Sequence, residues 1–238
     1  MHANDTSAET RHEPSSGGRR GRKPLPLWQE TILLAVLALV LAIVVKTFFV
    51  QAFYIPSGSM EQTLQVNDRI LVQKVSYWTG EPQRGDVVVF DDPGGWLGPG
   101  AEEPLGPVQR VLSVFGLYPT GGHLVKRVIG VGGDRVRCCN TDGQLVINGV
   151  AIDEPYVANP AATAAQPFDI RVPEGRVWLM GDNRNNSQDS RAHMGEPGGG
   201  FVPVDDVLGK AWVIVWPWDR TGSAGSDSEP FADVGTPE

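Results

Sequence analysis

The chain has 238 residues, of which 41% are hydrophobic and 20% are charged, and its formal net charge is -8 at pH 7. This length and composition predict one substantial folded domain or two small ones and exclude a wholly disordered protein. The acidic excess disfavours a nucleic-acid-binding protein, because phosphate backbones attract clustered Lys and Arg.

The two cysteines, Cys138 and Cys139, are neighbours in the sequence. Adjacent cysteines cannot link distant parts of a small secreted fold, and their spacing does not suit a zinc site. We therefore expect them to be free or strained rather than structural.

The first 26 residues are rich in Ser, Gly, Pro and charge. They contain too few apolar side chains to offset the entropy of ordering, so this segment is predicted to be a disordered tail. Residues 1–50 carry six basic and four acidic side chains, whereas the rest of the chain carries 14 basic and 24 acidic ones. The chain is therefore basic at its start and acidic afterwards.

An uncharged apolar run covers residues 31–45 and lies within the 24 residues from 27 to 50. As a helix this segment would be about 36 Å long, which is enough to cross a bilayer. Lys46 is near its far end, where a long side chain can reach the headgroups. The basic motif RRGRK at residues 19–23 favours a cytoplasmic N-terminus. We predict a transmembrane anchor over residues 27–50, with the following chain outside the cytoplasm.

Two alternatives to this anchor differ in their support. A buried core helix is disfavoured, because the run has no polar face. A cleaved signal peptide stays open, since a basic region, an apolar run and a small-residue site, Val50-x-Ala52, are all present. The long leader and the length of the run favour the permanent anchor. Both the anchor and the signal peptide place the catalytic part outside the cytoplasm.

Short β-branched runs separated by turn residues follow the apolar segment. GGD at residues 132–134, TDG at residues 141–143 and Asn148-Gly149 indicate hairpins, so residues 51–218 are predicted to form a mainly antiparallel β domain. The predicted strands are residues 69–73, 86–90, 124–131, 135–137, 145–147, 170–172, 177–180 and 211–216.

Two further segments depart from this pattern. Residues 91–122 are predicted to be an insertion with a short helix near residues 108–117, which either covers the core or touches the membrane; covering the core is favoured. Residues 219–238 are again rich in Gly, Ser, Pro and acid, which predicts a disordered acidic C-terminal tail.

The join between the anchor and the β domain reads FYIPSGSMEQTL, residues 53–64. Pro56 and Gly58 force an irregular backbone, so Ser57 and Ser59 are expected on a tight turn close to the bilayer surface. Such a turn is most often a linker. The apolar residues Met60 and Leu64 directly after it favour a more specific role.

A serine hydroxyl needs a base to become a good nucleophile. His123 and His193 have no recognisable triad context, which leaves lysine as a candidate. Lys126 lies on an apolar strand, where loss of hydration would depress its pKa and leave a neutral amine that can act as a general base. The alternative is an ordinary lysine that reaches solvent or pairs with an acid.

The motif GDNRNNSQDSR, residues 181–191, follows a predicted strand. A calcium loop is disfavoured, because Arg184 stands where an oxygen ligand would be needed. A simple polar turn is the common interpretation. The third interpretation is a support for a site, in which Ser187 orients an amine and Asp189 pairs with Arg191.

These segments together resemble bacterial type I signal peptidases, the membrane-anchored Ser/Lys endopeptidases of peptidase family S26. The matching motifs, in the family's order, are IPSGSM at residues 55–60, LVQK at 71–74 with RGDVVVF at 84–90, KRVIGVGGD at 126–134 and GDNRNNSQDSR at 181–191. The resemblance implies a β domain of the signal-peptidase/LexA-like type behind one N-terminal transmembrane helix.

The resemblance also implies a role for each matching residue. Ser59 would be the nucleophile, Lys126 its general base, and Ser57 with the backbone N–H of Ser59 the oxyanion hole. Ser187 would orient the lysine amine. Supporting ion pairs would join Asp182 to Arg127 and Asp189 to Arg191, and a small-residue substrate pocket would be lined by Ile55, Pro56, Met60 and Leu64. At Asn185 the family more often has an acid.

The implied activity is cleavage of signal peptides from exported preproteins after an Ala-x-Ala-like sequence, through an acyl-enzyme. Its partners would be preproteins and membrane lipid, with no nucleic acid, metal or cofactor. A self-cleaving repressor of the LexA type shares the chemistry but needs a DNA-binding segment and a cytoplasmic location. A membrane-tethered binding protein, with an ordinary serine and lysine, is the non-enzymatic alternative.

Overall fold

The computed structural model describes residues 26–78, 80–98, 106 and 122–235. It divides into two compact units, one ending at Val40 and one beginning at Leu41. Helix α1, Leu27–Phe48, starts in the first unit, and all the strands belong to the second. From Leu27 to Val45 the helix is apolar, long enough to cross a membrane and without buried side chains. A helix with apolar side chains exposed all round is typical of a membrane span.

The second unit consists of two antiparallel sheets. The larger sheet has the strand order β1-β2-β11-β3-β4-β9-β10, with β12 paired to β11, and the smaller has the order β7-β6-β5-β8. The mainly antiparallel β fold is therefore confirmed. The strands are β1 Val50–Tyr54, β2 Arg69–Gln73, β3 Val87–Asp91, β4 His123–Val131, β5 Arg135–Cys138, β6 Leu145–Ile147, β7 Val150–Ala151, β8 Phe168–Arg171, β9 Arg176–Met180, β10 Val202–Pro203, β11 Val207–Trp216 and β12 Gly222–Ser223.

Buried β-branched and aromatic side chains explain why these segments pair. β3 is buried from Val87 to Phe90, and β4 lies beside it with buried residues on both faces. Pairing on both edges satisfies the backbone of such a central strand, and its side chains form core on both faces of the sheet. A short second helix, α2, covers Pro160–Ala164 and precedes β8.

Two features differ from the sequence prediction, and a third is not tested. The helix ends at Phe48 rather than at residue 50, because Val50 already begins β1. The sequence prediction had assigned residues 49 and 50 to the membrane segment because they are apolar. Cys138 and Cys139 form a disulfide with each other, so they are not free. The helix predicted near residues 108–117 lies outside the described residues.

The C-terminal residues also differ from the prediction, because residues 219–235 are not a disordered tail. β12 pairs with β11, and a 3-10 turn spans Glu229–Phe231. Phe231 and Val234 are buried in the same core cluster as Trp178. A few well-placed apolar residues are enough to fix a segment whose composition is mostly polar.

Candidate active site

A tight turn after β1 presents Ser59. The chain leaves the strand at Tyr54 and enters a 3-10 turn, Gly58–Met60. Met60 is buried beneath this turn, while Ser59 stays half-buried. The apolar side chain of Met60 thus fixes the turn to the core, and the Ser59 hydroxyl faces the cavity described below.

Lys126 extends from the middle of β4 to this hydroxyl. Its amine Nζ lies 2.8 Å from Ser59 Oγ and 3.1 Å from the Val125 carbonyl oxygen. The lysine is only 3% exposed. Burial lowers its pKa from 10.5 to about 8, although the charges of Asp189 and Asp182 raise it in part. A buried amine in hydrogen-bond contact with a serine hydroxyl can accept that hydroxyl's proton.

A cavity of about 400 Å³ opens beside the two residues. Its walls come from the end of β1, the serine turn and the first half of β4. Ile55, Pro56 and Met60 are among the residues that line this cavity. Leu64 does not line it, because its side chain is fully buried in the core beneath the turn.

Ser57 also lines this cavity, at its exposed edge. Its hydroxyl donates to Ser59 Oγ over 3.4 Å. Because the two hydroxyls are neighbours, Ser57 can reach an atom bound to Ser59.

Arg127 and Asp182 form a buried ion pair with two hydrogen bonds. The distances are 2.8 Å from Nε to Oδ1 and 2.6 Å from Nη2 to Oδ2, and neither residue is exposed. The Thr63 hydroxyl also donates to Asp182. The pair expected between Arg127 and Asp182 is therefore present, directly behind the lysine.

The second expected ion pair fixes the loop over residues 181–191. Asp189 accepts from Arg191 at 2.9 and 2.8 Å, and from the backbone N–H of Gly181 at 3.0 Å. Burial acts to raise the pKa of Asp189, but these donors, Arg191 foremost, hold it below its usual value. The carboxylate therefore stays charged inside the protein.

Ser187 is near the site but does not contact the lysine amine. Its hydroxyl oxygen is buried and forms no hydrogen bond of normal geometry, although it lies close enough to Asp189 to help lower that carboxyl's pKa. A side chain on Gly181 would collide with the Ser187 hydroxyl and with the Ser59 carbonyl oxygen. Glycine at this position lets the loop pack directly against the serine turn.

Sequence analysis missed several residues that hold the site together. The Asn183 backbone N–H donates to the Ser59 carbonyl over 3.1 Å, and its side chain donates to the Gly58 carbonyl over 3.0 Å. Arg184 forms a buried pair with Glu154. The loop that contains Asn183 had been weighed as a metal site, as a polar turn and as a support for the site, but Asn183 itself was given no role. Glu154 is too distant in sequence to be inferred as the partner of Arg184 from spacing.

A capped turn at the base of the insertion reaches the same cavity. The Asp92 carboxylate accepts the backbone N–H groups of four residues, Gly94, Gly95, Trp96 and Leu97. Trp96 stacks on His193 with ring centroids 4.4 Å apart. Leu97, the next residue, lines the cavity wall opposite the serine turn. The insertion therefore contributes to the cavity from its first residues.

Comparison with known proteins identifies the family of the chain. The family model "Signal peptidase, peptidase S26" matches residues 28–216. Signal peptidase I of Mycobacterium tuberculosis is 41% identical over 92% of this chain and 84% of its own length, and that of Leptolyngbya laminosa is 36% identical over 90% of each. A solved signal peptidase I from Enterococcus faecalis is 29% identical and covers 55% of this chain and 97% of its own, with a TM-score of 0.35. On the family model and the sequence relatives, the chain belongs to the signal peptidase I family, peptidase S26, and is a serine endopeptidase.

Proposed function

We propose that this protein removes signal peptides from exported preproteins with a Ser59–Lys126 dyad. The observation that carries the proposal is the 2.8 Å contact between Ser59 Oγ and the amine of a lysine that is 3% exposed. Burial lowers the pKa of Lys126 to about 8, so a useful fraction of the amine is neutral near neutral pH.

The reaction follows from these positions. Neutral Lys126 accepts the Ser59 proton while Ser59 Oγ attacks the scissile carbonyl carbon. The oxyanion accepts hydrogen bonds from the Ser57 hydroxyl and the Ser59 backbone N–H, each worth about 3 kcal/mol in comparable sites. The tetrahedral intermediate collapses to an ester, and the Lys126 ammonium protonates the departing amine of the mature protein. Water, deprotonated by the same lysine, then hydrolyses the ester.

The cavity supports a preference for small residues before the cleaved bond. Its wall is formed by Ile55, Pro56 and Met60 near the serine and by Leu97 opposite. Apolar side chains in a confined space favour small apolar substrate groups and exclude large or charged ones. We therefore assign an Ala-x-Ala-like specificity to this enzyme.

The membrane arrangement is also part of the proposal. Helix α1 serves as a single-pass anchor, and the basic motif at residues 19–23 holds the N-terminus in the cytoplasm. The domain after the helix then lies on the other side of the membrane. Because β1 starts two residues after α1, the serine turn follows the anchor closely along the chain. A preprotein held in the bilayer by its own apolar segment presents its cleavage site at this level.

Two substitutions test the dyad directly. Purified full-length protein in detergent is assayed with a preprotein that carries an Ala-x-Ala site. We expect Ser59→Ala and Lys126→Ala each to reduce processing by at least about 10³-fold, because the nucleophile or its base is absent. Thermal unfolding should show that both variants stay folded.

Ser76→Ala and Lys74→Ala are the matched controls. Both residues lie at the short 3-10 turn after β2 and are only partly buried, and their side chains form no hydrogen bond with the described part of the chain. Both control variants should process the preprotein at the parent rate. Normal cleavage by either dyad variant would refute the assignment.

A further inference from the structure

After β12 the chain returns to the catalytic strand. We call residues 224–227 the C-terminal segment; they lie beyond the part of the chain that the family model matches, which ends at residue 216. Ala224 is fully buried in the same core cluster as Ile55, Met60 and Leu64. The segment is therefore packed against the base of the serine turn.

Its main polar contact is with the arginine next to the catalytic lysine. Arg127 Nη1 donates to the Gly225 carbonyl over 2.8 Å and to the Gly85 carbonyl over 3.0 Å. The Asp227 backbone N–H donates to the same Gly85 carbonyl over 3.1 Å. The C-terminal segment thus provides the Gly225 carbonyl as one acceptor for Arg127 Nη1. It also holds the other acceptor, the Gly85 carbonyl, in place.

The segment is held in place by the neighbouring strand. Ser226 Oγ accepts the backbone N–H of Val87, at the start of β3, over 3.0 Å. Gly225 has φ of +83°, a backbone conformation that favours glycine. A Cβ at Gly225 would collide with the methyl group Cγ2 of Thr63, whose hydroxyl donates to Asp182. Both ends of the Arg127–Asp182 pair therefore depend on the path of this segment.

We propose that residues 224–227 are a positioning element for the Ser59–Lys126 dyad, acting through Arg127 and Asp182. This inference rests on the proposed function. Because the guanidinium is held from behind by the Gly225 carbonyl, it stays against Asp182 and compensates that charge. The same packing keeps water away from the buried side of β4.

Loss of this support should raise the pKa of Lys126. Asp189 and Asp182 raise the pKa of Lys126 against the effect of burial. If Arg127 moves away, less of the Asp182 charge is compensated and more water enters, and both changes raise the pKa of Lys126. Several other ionisable groups surround Lys126 and Arg127. Tyr156 packs against Arg127, with its ring centroid 3.7 Å from the guanidinium carbon, and Glu154 pairs with Arg184 next to it. The packed elements also carry Glu61, His123 with Asp91, Asp86 with Lys210, and Arg191 with Asp189. No carboxylate or guanidinium among these groups is bonded to residues 224–227, whose own carboxylate, Asp227, accepts the Glu229 backbone N–H.

The test is the pH dependence of kcat/KM for the full-length protein acting on a preprotein in detergent. The parent profile should rise with pH, pass through its inflection near pH 8 and level off about one unit higher. In Gly225→Ala we expect the inflection to move up by roughly 0.5 to 1 unit, so that kcat/KM at pH 7 falls several-fold. Gly222→Ala is the matched control, because a side chain there meets nothing within 4 Å; its profile should equal that of the parent.

A rescue variant separates positioning from general loss of stability. Thr63→Ser keeps the hydroxyl that bonds Asp182 and removes the methyl group that a Cβ on Gly225 would strike. The nearest remaining atom is then 3.4 Å away. We expect Gly225→Ala combined with Thr63→Ser to return the inflection part of the way toward that of Thr63→Ser alone, because the collision is removed while the backbone strain of alanine at φ +83° remains. If Gly225→Ala does not fold, Ser226→Ala replaces it, since it removes the acceptor of the Val87 N–H and should shift the inflection in the same direction.

The results of these experiments distinguish the positioning role of residues 224–227 from the proposed function. An inflection that stays near pH 8 in the folded C-terminal variants, with activity lowered equally at every pH, overturns the positioning role. The proposed function survives that result as long as Ser59→Ala and Lys126→Ala remain inactive. Activity in either of those dyad variants removes the proposed function itself.

Discussion

Lys126 is kept in an environment that disfavours its charged form. A pKa of about 8 in place of 10.5 means that the folded protein binds this proton more weakly than the unfolded chain does. Below pH 8 both states are protonated and the full cost of burying the charge is present. Between pH 8 and pH 10.5 that cost fades, because the folded state has already lost the proton.

This cost predicts that Lys126→Met stabilises the protein at neutral pH. Methionine fills a similar volume without a charge, and the shift of about 2.5 units corresponds to about 3 kcal/mol. The gain in free energy of unfolding should be largest below pH 8 and decline steadily toward pH 10.5. Thermal or denaturant unfolding of inactive Lys126→Met and of Lys74→Met across this pH range would measure it. A gain that does not depend on pH, or an equal gain in the control, would contradict the burial argument.

Individual site residues differed in how far the sequence could identify them. Ser59 and Lys126 stand in local motifs, so they could be named from the sequence. The structure places the two side chains in contact. Leu64 was placed in the pocket wall by the resemblance to the family, but the direction of its side chain depends on the core beneath it. The support from Asn183 depends on loop packing against Gly58, which no local pattern specifies.

Strands with a clear apolar pattern were predicted well from the sequence. β2 and β6 have the predicted bounds, and β4 begins one residue earlier than expected. The two-residue strands β7, β10 and β12 were not predicted, since they form only because a longer partner is already in place. The C-terminal residues were mistaken for a tail for the same reason: their composition is polar, and their order comes from tertiary contacts.

Anchoring of the C-terminal residues can be tested by stability. Phe231 is 5% exposed and packs in the core cluster that contains Trp178. Phe231→Ala should lower the free energy of unfolding by about 3 kcal/mol, because it leaves a cavity. Asp233→Ala, two residues away and exposed, should change it by less than about 0.5 kcal/mol. Equal stability of the two variants in urea unfolding would show that these residues are not part of the core.

At the scale of the whole molecule, the proposed topology places the N-terminus in the cytoplasm and the β domain outside it. We expect a C-terminal epitope to be digested by protease added to intact spheroplasts and an N-terminal epitope to be protected. Replacing Arg19, Arg20, Arg22 and Lys23 with Asn should weaken this orientation, because the positive charges set it. Protection of the C-terminal epitope in the parent protein would reverse the assignment.

Lys126 and Arg127 are consecutive on one strand, so their side chains point to opposite faces of the sheet. A slip of β4 by a single residue would turn every side chain to the other face, placing Arg127 where Lys126 lies and Val128 beside Asp182, and so bring a guanidinium to the serine hydroxyl. That group cannot give up its proton at any physiological pH, and the resulting enzyme would be inert. The carboxylate and the two carbonyl groups that receive Arg127 therefore act as a register lock: they leave the slipped pairing with a buried cation that has no counter-ion.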